Sequence, residues 1–314
     1  MQKKQVKVIR SAVGSIGTWG LIHELQKNNV EVIGIDADPN AYAFKLLKKT
    51  YLIPKANTSQ FFPELLKIIK RERPDAYLTG PEEETLILSR HRAILEKNGV
   101  LLLCPEYNIV KICANKARLY KTFDRLGIDY PKIYSRKSVR FPCIVKPMVG
   151  RGGKDVTRID NEKDLNHYFS KHNENKTLIQ EYISGPEYSV DILSDHGVTV
   201  SAVPRIRIQT DSGIAVNTRT VDHKSMISIC KHIVLKLNLF GPICMQCIQT
   251  KDNTLKFTDI NCRFGGGAIV SLHADTTIVK NLIRIIQKQK PIISSSYING
   301  LVMQRYYAEV YRTQ

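Results

Sequence analysis

Short apolar runs alternate with amphipathic stretches along the first third of the chain. Strands are predicted at VKVIR, EVIGID, Tyr51–Ile53, DAYLTG and VLLLC, and helices at Leu21–Lys27, near Ala41–Lys48, at FFPELLKIIKRE and at Glu82–Lys97. Strands that are apolar along their whole length are typical of a parallel sheet covered by helices on both faces. The pattern therefore predicts an α/β domain over residues 1–105.

The pattern changes after Pro105. The stretch EYNIVKICANKARLYKTFDRLG is helical in character and ends at Gly127, which predicts a helical connector over residues 106–131. The segment FPCIVKPMVGRGGKDVTRI then predicts two strands joined by a glycine loop, followed by a helix and the strand TLIQEYISG. These elements predict a small subdomain at residues 132–185.

Longer strands follow residue 186. EYSVDILSD and VTVSAVPRIRIQT are joined by a His-Gly turn, and PICMQCIQTK and TLKFTDINCR are joined by Asp252 and Asn253. Such turns connect antiparallel neighbours. The second half of the chain is therefore predicted to be α+β, with an antiparallel sheet in residues 186–314.

Composition narrows the class of protein. The chain has 314 residues, of which 43% are hydrophobic and 24% charged, as in globular proteins of more than one domain. Apolar runs stay far below the roughly 20 residues that span a bilayer, so we expect a cytoplasmic protein without a membrane partner. Seven cysteines, an odd number, favour reduced thiols. Cys244 and Cys247 lie in a predicted strand, where an offset of three places their side chains on opposite faces and disfavours a zinc or redox pair.

The net charge of +18 raises the question of nucleic acid. The basic residues are spread along helical faces such as KLLKK and KIIKRER rather than clustered. This distribution favours a solvated lysine-rich surface and makes nucleic acid an unlikely partner, while a polyanionic substrate or a macromolecular partner stays open.

The segment SAVGSIGTWG follows the first strand, and Asp36 ends the second. A glycine turn and an acidic residue in this order suggest a dinucleotide site and a nicotinamide-dependent dehydrogenase. However, the glycines at positions 14, 17 and 20 have the spacing GxxGxxG rather than GxGxxG. The tight first turn expected at a pyrophosphate is therefore misplaced, which disfavours a nucleotide site in this loop.

A stronger phosphate site is predicted in IVKPMVGRGGKDV. Successive glycines between strands leave backbone N–H groups free for an anion, and Arg151 and Lys154 add positive charge. Lys146 lies inside an otherwise apolar strand, where a charged side chain needs a partner. The missing GK[ST] ending and following helix exclude a Walker loop.

Polar side chains also accumulate in LKFTDINCRFGGG. Strand alternation predicts that Leu255, Phe257, Asp259, Asn261 and Arg263 share one face, so that the strand leaves a core and enters a site. The neighbouring strand supplies Gln246. Oxygen ligands of this kind suit Mg²⁺, which combines few protein oxygens with substrate phosphates.

Three further candidates are weaker. Glu181 and Glu187 flank a Gly-Pro turn and could accept hydrogen bonds from hydroxyls or an amine. Arg205 and Arg207 alternate on one strand and could hold a substrate carboxylate, although a solvated strand face explains them as well. Glu84 follows the DAYLTG strand, where open α/β sheets bind ligands, and could hold an amine.

In this order, and together with the ANK of residues 114–116, these segments resemble the ATP-grasp superfamily, more narrowly its carbamoyl-phosphate-synthase-like ligases. The resemblance covers nearly the whole chain. It implies a Rossmann-like pre-ATP-grasp domain with a PEEE segment, a lid subdomain at residues 132–185 and a C-terminal catalytic subdomain on an antiparallel sheet at residues 186–314.

The resemblance also implies roles for single residues. Lys116 and Lys146 would bind the ATP phosphates beneath the lid loop, and the hinge after Gln180 would meet the adenine and ribose. The ATP-binding residues so implied are Lys116, Lys146, Gly150, Arg151, Gly152, Gly153, Lys154, Glu181, Tyr182, Ile183 and Glu187. Gln246, Asp259 and Asn261 would bind Mg²⁺, for which Mn²⁺ could substitute, and Arg263 would stabilise the transferred phosphoryl group.

Three positions depart from the family pattern. The family often has Asp before the lysine at position 116, usually has Glu at position 259 and often has Pro at position 262, where this chain has Asn115, Asp259 and Cys262. The shorter Asp259 carboxylate is less able to bridge two ions, so the number of metal ions stays open.

The function implied is an ATP- and Mg²⁺-dependent carboxylate–amine ligase that forms an acyl phosphate and releases ADP and phosphate. Small-molecule carboxylate and amine substrates and a homodimer are the implied partners. A thiol or ammonia acceptor is an alternative, as is a non-catalytic protein that binds a nucleotide or nucleic acid.

Overall fold

The computed structural model describes residues 5–150, 152–306 and 308–311. Within these residues the strands form three sheets, of five, four and six strands. The first is parallel, and the other two are antiparallel. The predicted mixture of an α/β and an α+β architecture is confirmed.

The five-stranded parallel sheet has the order β3-β2-β1-β4-β5. Its apolar strands are buried between helices, as the sequence predicts. The elements are β1 Val6–Ser11, α1 Thr18–Lys27, β2 Val30–Asp36, β3 Lys49–Leu52, α2 Phe61–Glu72, β4 Ala76–Leu78, α3 Glu82–Arg90, α4 Arg92–Lys97 and β5 Leu101–Leu102.

Two helix predictions in this region are wrong in detail. The segment predicted as a helix near Ala41–Lys48 contains only the 3₁₀ turn Tyr42–Lys45, because β3 begins at Lys49 in register with Ile33 and leaves no room for a longer helix. The helix predicted over Glu82–Lys97 is divided at His91, whose φ of −101° and ψ of 15° interrupt the helical backbone.

Two helices connect this sheet to the rest, α5 Tyr107–Cys113 and α6 Lys116–Leu126. The Asn115 side chain accepts the Arg118 N–H and caps α6, and Gly127 ends the helix with a φ of 65°. Asn115 therefore has a local role as the N-cap that fixes where Lys116 begins its helix.

The four-stranded antiparallel sheet has the order β6-β9-β7-β8 and a small core of its own around Val145 and Leu165. Its elements are β6 Ile133–Tyr134, β7 Cys143–Pro147, β8 Thr157–Ile159, α7 Glu162–Lys171 and β9 Thr177–Glu181. The glycine loop predicted from the sequence joins β7 to β8.

The six-stranded sheet has the order β14-β13-β10-β11-β12-β15. The predicted hairpin turn between β10 and β11 is formed by His196 and Gly197, with φ of 42° and 83°. The elements are β10 Glu187–Asp195, β11 Val198–Asp211, β12 Ile214–Thr220, α8 Lys224–Lys236, β13 Gly241–Gln249, β14 Leu255–Asn261, α9 Ile269–Ala274, α10 Thr277–Ile286 and β15 Val302–Gln304.

One hydrophobic core continues from the parallel sheet through the connector into the six-stranded sheet. Tyr77 of β4, Phe123 of α6 and Phe257 of β14 belong to the same buried cluster, and the rings of Phe123 and Phe257 meet edge to face. Most buried residues of the small sheet form a separate cluster, but Leu178 of β9 belongs to the main core. The boundaries predicted at residues 105, 131 and 185 stay a prediction.

Candidate active site

A cleft of about 1780 Å³ lies between the three sheets. The carboxyl ends of β1 and β4, the small sheet with its glycine loop, and strands β10, β11, β13 and β14 all contribute to its walls. The predicted site residues that the structure describes come together here, with Gln246, Asp259, Asn261 and Arg263 on the wall formed by the six-stranded sheet. Arg151 falls outside the described residues.

A β-bulge in β14 places the side chains of Asp259 and Asn261, which are predicted to bind Mg²⁺, in the cleft. Gln246 pairs with Asp259, but Cys247 pairs with Phe257, so Thr258 is an extra residue in β14. The five alternating residues predicted to share one face are therefore divided, which corrects that prediction. Leu255 and Phe257 lie in the core, whereas Asp259 and Asn261 line the cleft, because the extra residue reverses the alternation.

The oxygens of this wall fit a hard cation. The Asn261 side-chain amide donates to the Cys244 carbonyl over 3.3 Å, which holds the side chain while leaving Oδ1 free of described hydrogen bonds. Clusters of three or more His, Cys, Asp or Glu side chains that could hold a metal do not occur among the described residues. One carboxylate and two carboxamides would thus have to share an ion with substrate phosphates, as is usual for Mg²⁺.

Lys116, the first residue of α6, reaches this wall. Its Nζ lies 2.8 Å from Asp259 Oδ1 and donates to the Gly150 carbonyl over 3.3 Å. The pKa of Lys116 is raised by the nearby Asp259 and Glu82, against the opposing effect of burial. In this structure the lysine thus forms an ion pair with the carboxylate predicted to bind the metal.

Lys146 of β7 is 5% exposed and donates to the Tyr120 hydroxyl over 2.9 Å. Burial lowers its pKa to about 8 even though Asp259 opposes the shift. Tyr120 is not among the predicted site residues, although it lies four residues after Lys116 and thus one turn further along the same face of α6. The tyrosine hydroxyl also donates to the Thr258 carbonyl at the bulge, over 3.2 Å, so that it links Lys146 to the metal wall.

The glycine loop between β7 and β8 packs against the turn between β11 and β12. Gly152 and Gly153 have φ of 68° and 71°. A Cβ on Gly213 would lie 2.5–2.7 Å from Gly152 backbone atoms. The loop can approach the six-stranded sheet this closely because both contact residues are glycines, and it thereby covers the cleft next to Lys154.

The segment after β9 lines the opposite wall. Lys132 donates its backbone N–H to Glu181 Oε1 over 2.7 Å, and Lys256 also contacts this oxygen. The Tyr182 ring is 37% exposed beneath the Arg158 guanidinium, 4.6 Å away, and Ile183 lines the cleft beside it. Two lysines thus hold the Glu181 carboxylate, and the segment presents an apolar surface suited to an adenine ring.

Two arginines from the six-stranded sheet differ in their surroundings. Arg205 is 2% exposed and holds Asp191 through Nε at 2.7 Å, while its Nη1 is buried without an acceptor in the described chain. Arg207 pairs with Glu187 at 3.1 Å and donates to the Gly213 carbonyl. Arg205 therefore retains an unused, buried donor beside the cleft, whereas Arg207 links the predicted ribose carboxylate to the turn beneath the lid loop.

Arg263 forms an ion pair that sequence analysis missed. Its Nη2 lies 3.2 Å from Glu82 Oε1, and Nη1 donates to the Phe264 carbonyl. Burial raises the pKa of Glu82, and Arg263 opposes the rise. The PEEE segment that follows β4 is the one indication of this ion pair in the sequence. From that segment Glu84, rather than Glu82, is predicted as a site residue.

Glu84 is buried and its carboxylate is engaged. Ser11 contacts Oε1, and the Tyr77 hydroxyl donates to the same atom over 3.1 Å. Burial raises the pKa of Glu84 to about 7. Its predicted role in binding an amine stays a prediction, since the carboxylate would have to leave these partners.

The glycine segment after β1 is hydrogen-bonded to Asp36 at the end of β2. Asp36 Oδ2 accepts the Gly14 N–H over 2.8 Å, and Oδ1 accepts the Asp38 N–H over 3.0 Å. Each carboxylate oxygen of Asp36 therefore accepts one backbone hydrogen bond and helps to hold the loop after β1. The GxxGxxG spacing, rather than this carboxylate, disfavours the dehydrogenase alternative.

Cys244 and Cys247 lie on opposite faces of β13, as predicted: Cys247 packs in the core, and Cys244 lines the cleft beside Arg205. Burial raises the pKa of both thiols to about 12.

Among the helices of the described residues, none has the length and apolar character needed to span a membrane.

Two sequence families match this chain. Residues 113–267 match the family described as an ATP-grasp domain, and residues 12–103 match the family described as a PylC-like N-terminal domain. The carbamoyl phosphate synthase large chain of Pseudothermotoga lettingae is 21% identical over 334 residues, covering 92% of this chain and 30% of that protein. The corresponding protein of Clostridium beijerinckii is 25% identical over 190 residues, covering 55% and 17%. The chain thus spans less than a third of the length of these relatives.

Solved structures share the fold. The biotin carboxylase–β-γ-ATP complex of Campylobacter jejuni superimposes with a TM-score of 0.73 at 17% identity, covering 94% of this chain and 74% of that one. The L-amino acid ligase of Bacillus licheniformis gives 0.72 at 15% identity, covering 93% and 76%. The biotin carboxylase domain of Hydrogenobacter thermophilus 2-oxoglutarate carboxylase, crystallised with MgADP, gives 0.72 at 16% identity, covering 92% and 71%.

Proposed function

Because this chain belongs to the ATP-grasp superfamily, we propose that it uses ATP and Mg²⁺ to activate a carboxylate that an amine then attacks. The resemblance seen in the sequence is confirmed by these matches, and ATP and Mg²⁺ are standard for the family. One observation carries the proposal: the buried Lys146, the half-buried Lys116, the oxygens of β13 and β14 and the Arg263 guanidinium line a single cleft.

The proposed reaction has two steps. A substrate carboxylate oxygen attacks the γ-phosphorus of ATP, and ADP leaves. The amine nitrogen then attacks the acyl carbon of the acyl phosphate, a C–N bond forms, and phosphate leaves. Phosphoryl transfer needs positioning and neutralisation of charge rather than a protein nucleophile, which is what this cleft provides.

Each part of the cleft has a role in this proposal. Lys146, held by Tyr120, and Lys116 bind the phosphate oxygens, and the loop over Gly152 and Gly153 excludes water that would hydrolyse the acyl phosphate. Gln246, Asp259 and Asn261 would hold Mg²⁺, which neutralises charge on the transferred phosphoryl group. Arg263 stabilises the developing charge at the same point. The buried Nη1 of Arg205 would hold the reacting carboxylate.

The Lys116–Asp259 ion pair is expected to open during this reaction. A metal ion on Asp259 would bring a second cation close to Lys116 Nζ, which lies 2.8 Å from Oδ1, so binding of the nucleotide would exchange the lysine from the carboxylate to a phosphate. The two contacts of Lys116, to Asp259 and to the Gly150 carbonyl, connect this exchange to the lid loop. A thiol or ammonia acceptor, a homodimer and a cytoplasmic location stay predictions.

The test is release of ADP and phosphate from ATP and Mg²⁺ in the presence of mixed carboxylates and amino acids. We expect turnover in the wild type and its loss in Asp259→Ala and Lys146→Ala. A matched control is Asp252→Ala, which removes an exposed carboxylate from the turn between β13 and β14. Failure of ATP to shift the thermal unfolding of the wild type would contradict the proposal.

A further inference from the structure

Arg10, at the end of β1, is a buried cation that the proposed reaction does not use. It is 7% exposed and lines the cleft. Nη1 contacts the carbonyls of Leu78 and Thr79 across the neighbouring strand, at 3.3 Å in the first case. Its Nε is buried without an acceptor in the part of the chain that the structure describes. The described chain therefore provides acceptors for Nη1 of Arg10 but none for Nε.

The surroundings of Arg10 leave its charge poorly balanced. Its acidic neighbour is Glu84, whose carboxylate instead contacts Ser11 and Tyr77. Arg263 lies near enough to oppose the charge of Arg10 electrostatically, and burial lowers the pKa of Arg10 to about 10. Burying a guanidinium that has an unpaired donor and a like charge nearby costs free energy, and a bound anion would offset this cost.

Arg205, which lines the same cleft from the six-stranded sheet, has a comparable buried donor. Its Nη1 is likewise buried without an acceptor in the described residues, and a Cβ on Gly267 would lie 2.7 Å from that atom. Two arginines from different sheets, one bound to backbone carbonyls and one bound to Asp191, thus line the same cleft, and each keeps one buried N–H group without an acceptor in the described chain.

We infer that Arg10 binds a carboxylate of the substrates that does not react, carried either by the acyl donor or by an amino acid acceptor. The inference rests on the proposed function and narrows its substrates: Arg205 holds the carboxylate that is activated, and Arg10 holds another. A substrate pair without this extra acidic group would leave the Arg10 cation uncompensated.

The neighbouring loop favours a carboxylate over a phosphate as this group. A phosphate site is usually built from several free backbone N–H groups. In the glycine loop beside Arg10, the Gly14 N–H is taken by Asp36, the Ser15 N–H by the Ala12 carbonyl and the Thr18 N–H by the Ser15 carbonyl. A guanidinium edge alone matches the two oxygens of a carboxylate.

The chain provides a reporter for this site. Trp19, the single tryptophan, follows Thr18, which lines the cleft. Its fluorescence can be followed with MgADP present, during titration with malonate to adipate and their monoamides, and with glycine, alanine, lysine and glutamate and their α-amides. The variants are Arg10→Gln, Arg10→Lys and the control Arg90→Gln, which alters an exposed arginine at the end of α3.

We expect at least one acid to bind the wild type roughly 10- to 100-fold more tightly than its amide. The difference should fall below about 3-fold in Arg10→Gln, persist in Arg90→Gln and be intermediate in Arg10→Lys. A response among the dicarboxylates assigns the group to the donor, and a response among the amino acids assigns it to the acceptor.

The inference is overturned if the wild type does not distinguish acids from amides in either arm, or if Arg10→Gln distinguishes them equally well. If Arg10→Gln does not fold, Arg10→Lys decides: unchanged selectivity with lowered stability would make Arg10 a clamp for β4 alone. MgADP binding is scored separately. Its failure would remove the proposed nucleotide site, while titrations without nucleotide would still judge Arg10.

Discussion

Two segments of this protein place glycines after a strand and a carboxylate nearby, yet they differ in what the carboxylate does. In the loop after β1, both oxygens of Asp36 accept backbone N–H groups of the same region. At the wall formed by β13 and β14, Asp259 is paired with the side chain of Lys116, a contact that the proposed function requires a ligand to displace. A nucleotide site is recognised by groups that remain exchangeable, and glycine spacing alone does not show this.

The largest expected effect separates the two carboxylates. Asp259→Asn keeps the shape of the side chain but removes the charge of the metal wall, so we expect turnover of ATP to fall roughly 100- to 1000-fold. Asp36→Asn makes the same change in the first loop and should leave turnover within a few-fold of the wild type while lowering thermal stability. Steady-state release of phosphate, with the melting temperature of each variant, checks both. Equal losses of turnover would contradict the distinction.

A second prediction concerns the exchange of Lys116. Lys116→Gln removes a phosphate ligand, so the affinity for ATP should fall about 10- to 100-fold. The same change frees Asp259, so Mn²⁺ added without nucleotide should bind more tightly than to the wild type. Titration calorimetry with ATP and with Mn²⁺ measures the two effects. Weaker binding of both ligands would show that Lys116 does not compete with the metal.

Burial lowers the pKa of Lys146 to about 8, which predicts opposite effects of rising pH on activity and on stability. Its positive charge is lost as the pH rises through about 8, so kcat/KM for ATP should fall above that pH. Between about pH 8 and its ordinary value of 10.5, the unfolded chain binds the proton and the folded chain does not. The contribution of Lys146 to the free energy of unfolding should therefore rise with pH in that window.

Comparison with Lys146→Met isolates this group. The pH–rate profile and the urea-unfolding curves of the two proteins are measured across pH 7 to 10. The free energy of unfolding of the wild type should rise relative to that of Lys146→Met as the pH rises. A wild-type profile that stays flat to pH 10 would indicate that Lys146 is not a phosphate ligand.

The smallest expected effect compares glycines of the two regions. Gly17 has a φ of 89° and a Cβ there would lie 2.6 Å from the Gly266 carbonyl oxygen, whereas Gly213 has a φ of 76° and faces Gly152. Replacing either by alanine should lower stability by about 1–3 kcal/mol. Only Gly213→Ala, which displaces the lid loop, should also raise KM for ATP, by a few-fold. Similar KM changes in both variants would remove this distinction.

Much of the architecture could be predicted because it depends on local patterns. Apolar strands separated by amphipathic helices indicate a parallel sheet, and the turns at His196 and Asp252 indicate hairpins. The bulge at Thr258 could not be predicted, since one extra residue leaves no mark on the composition but reverses every later side chain. The predicted shared face failed at that residue.

The contacts that site residues make with distant segments of the chain could not be predicted from the sequence either. Tyr120 beside Lys146 and Glu82 beside Arg263 are contacts between segments 26 and 181 residues apart. The engagement of Asp36 with its own loop is visible only from hydrogen bonds. The sequence identified which side chains carry charge, whereas the fold determines which donors, such as Arg10 Nε and Arg205 Nη1, are left without an acceptor in the described chain.

The most direct test of the nucleotide site is the binding of MgADP and of NAD, measured by calorimetry on the wild type, Lys146→Met and Asp36→Asn. The account predicts that MgADP binds the wild type and Asp36→Asn with similar affinity, that Lys146→Met binds it at least 10-fold more weakly, and that NAD does not bind. Binding of NAD that is abolished in Asp36→Asn, with no binding of MgADP, would contradict it.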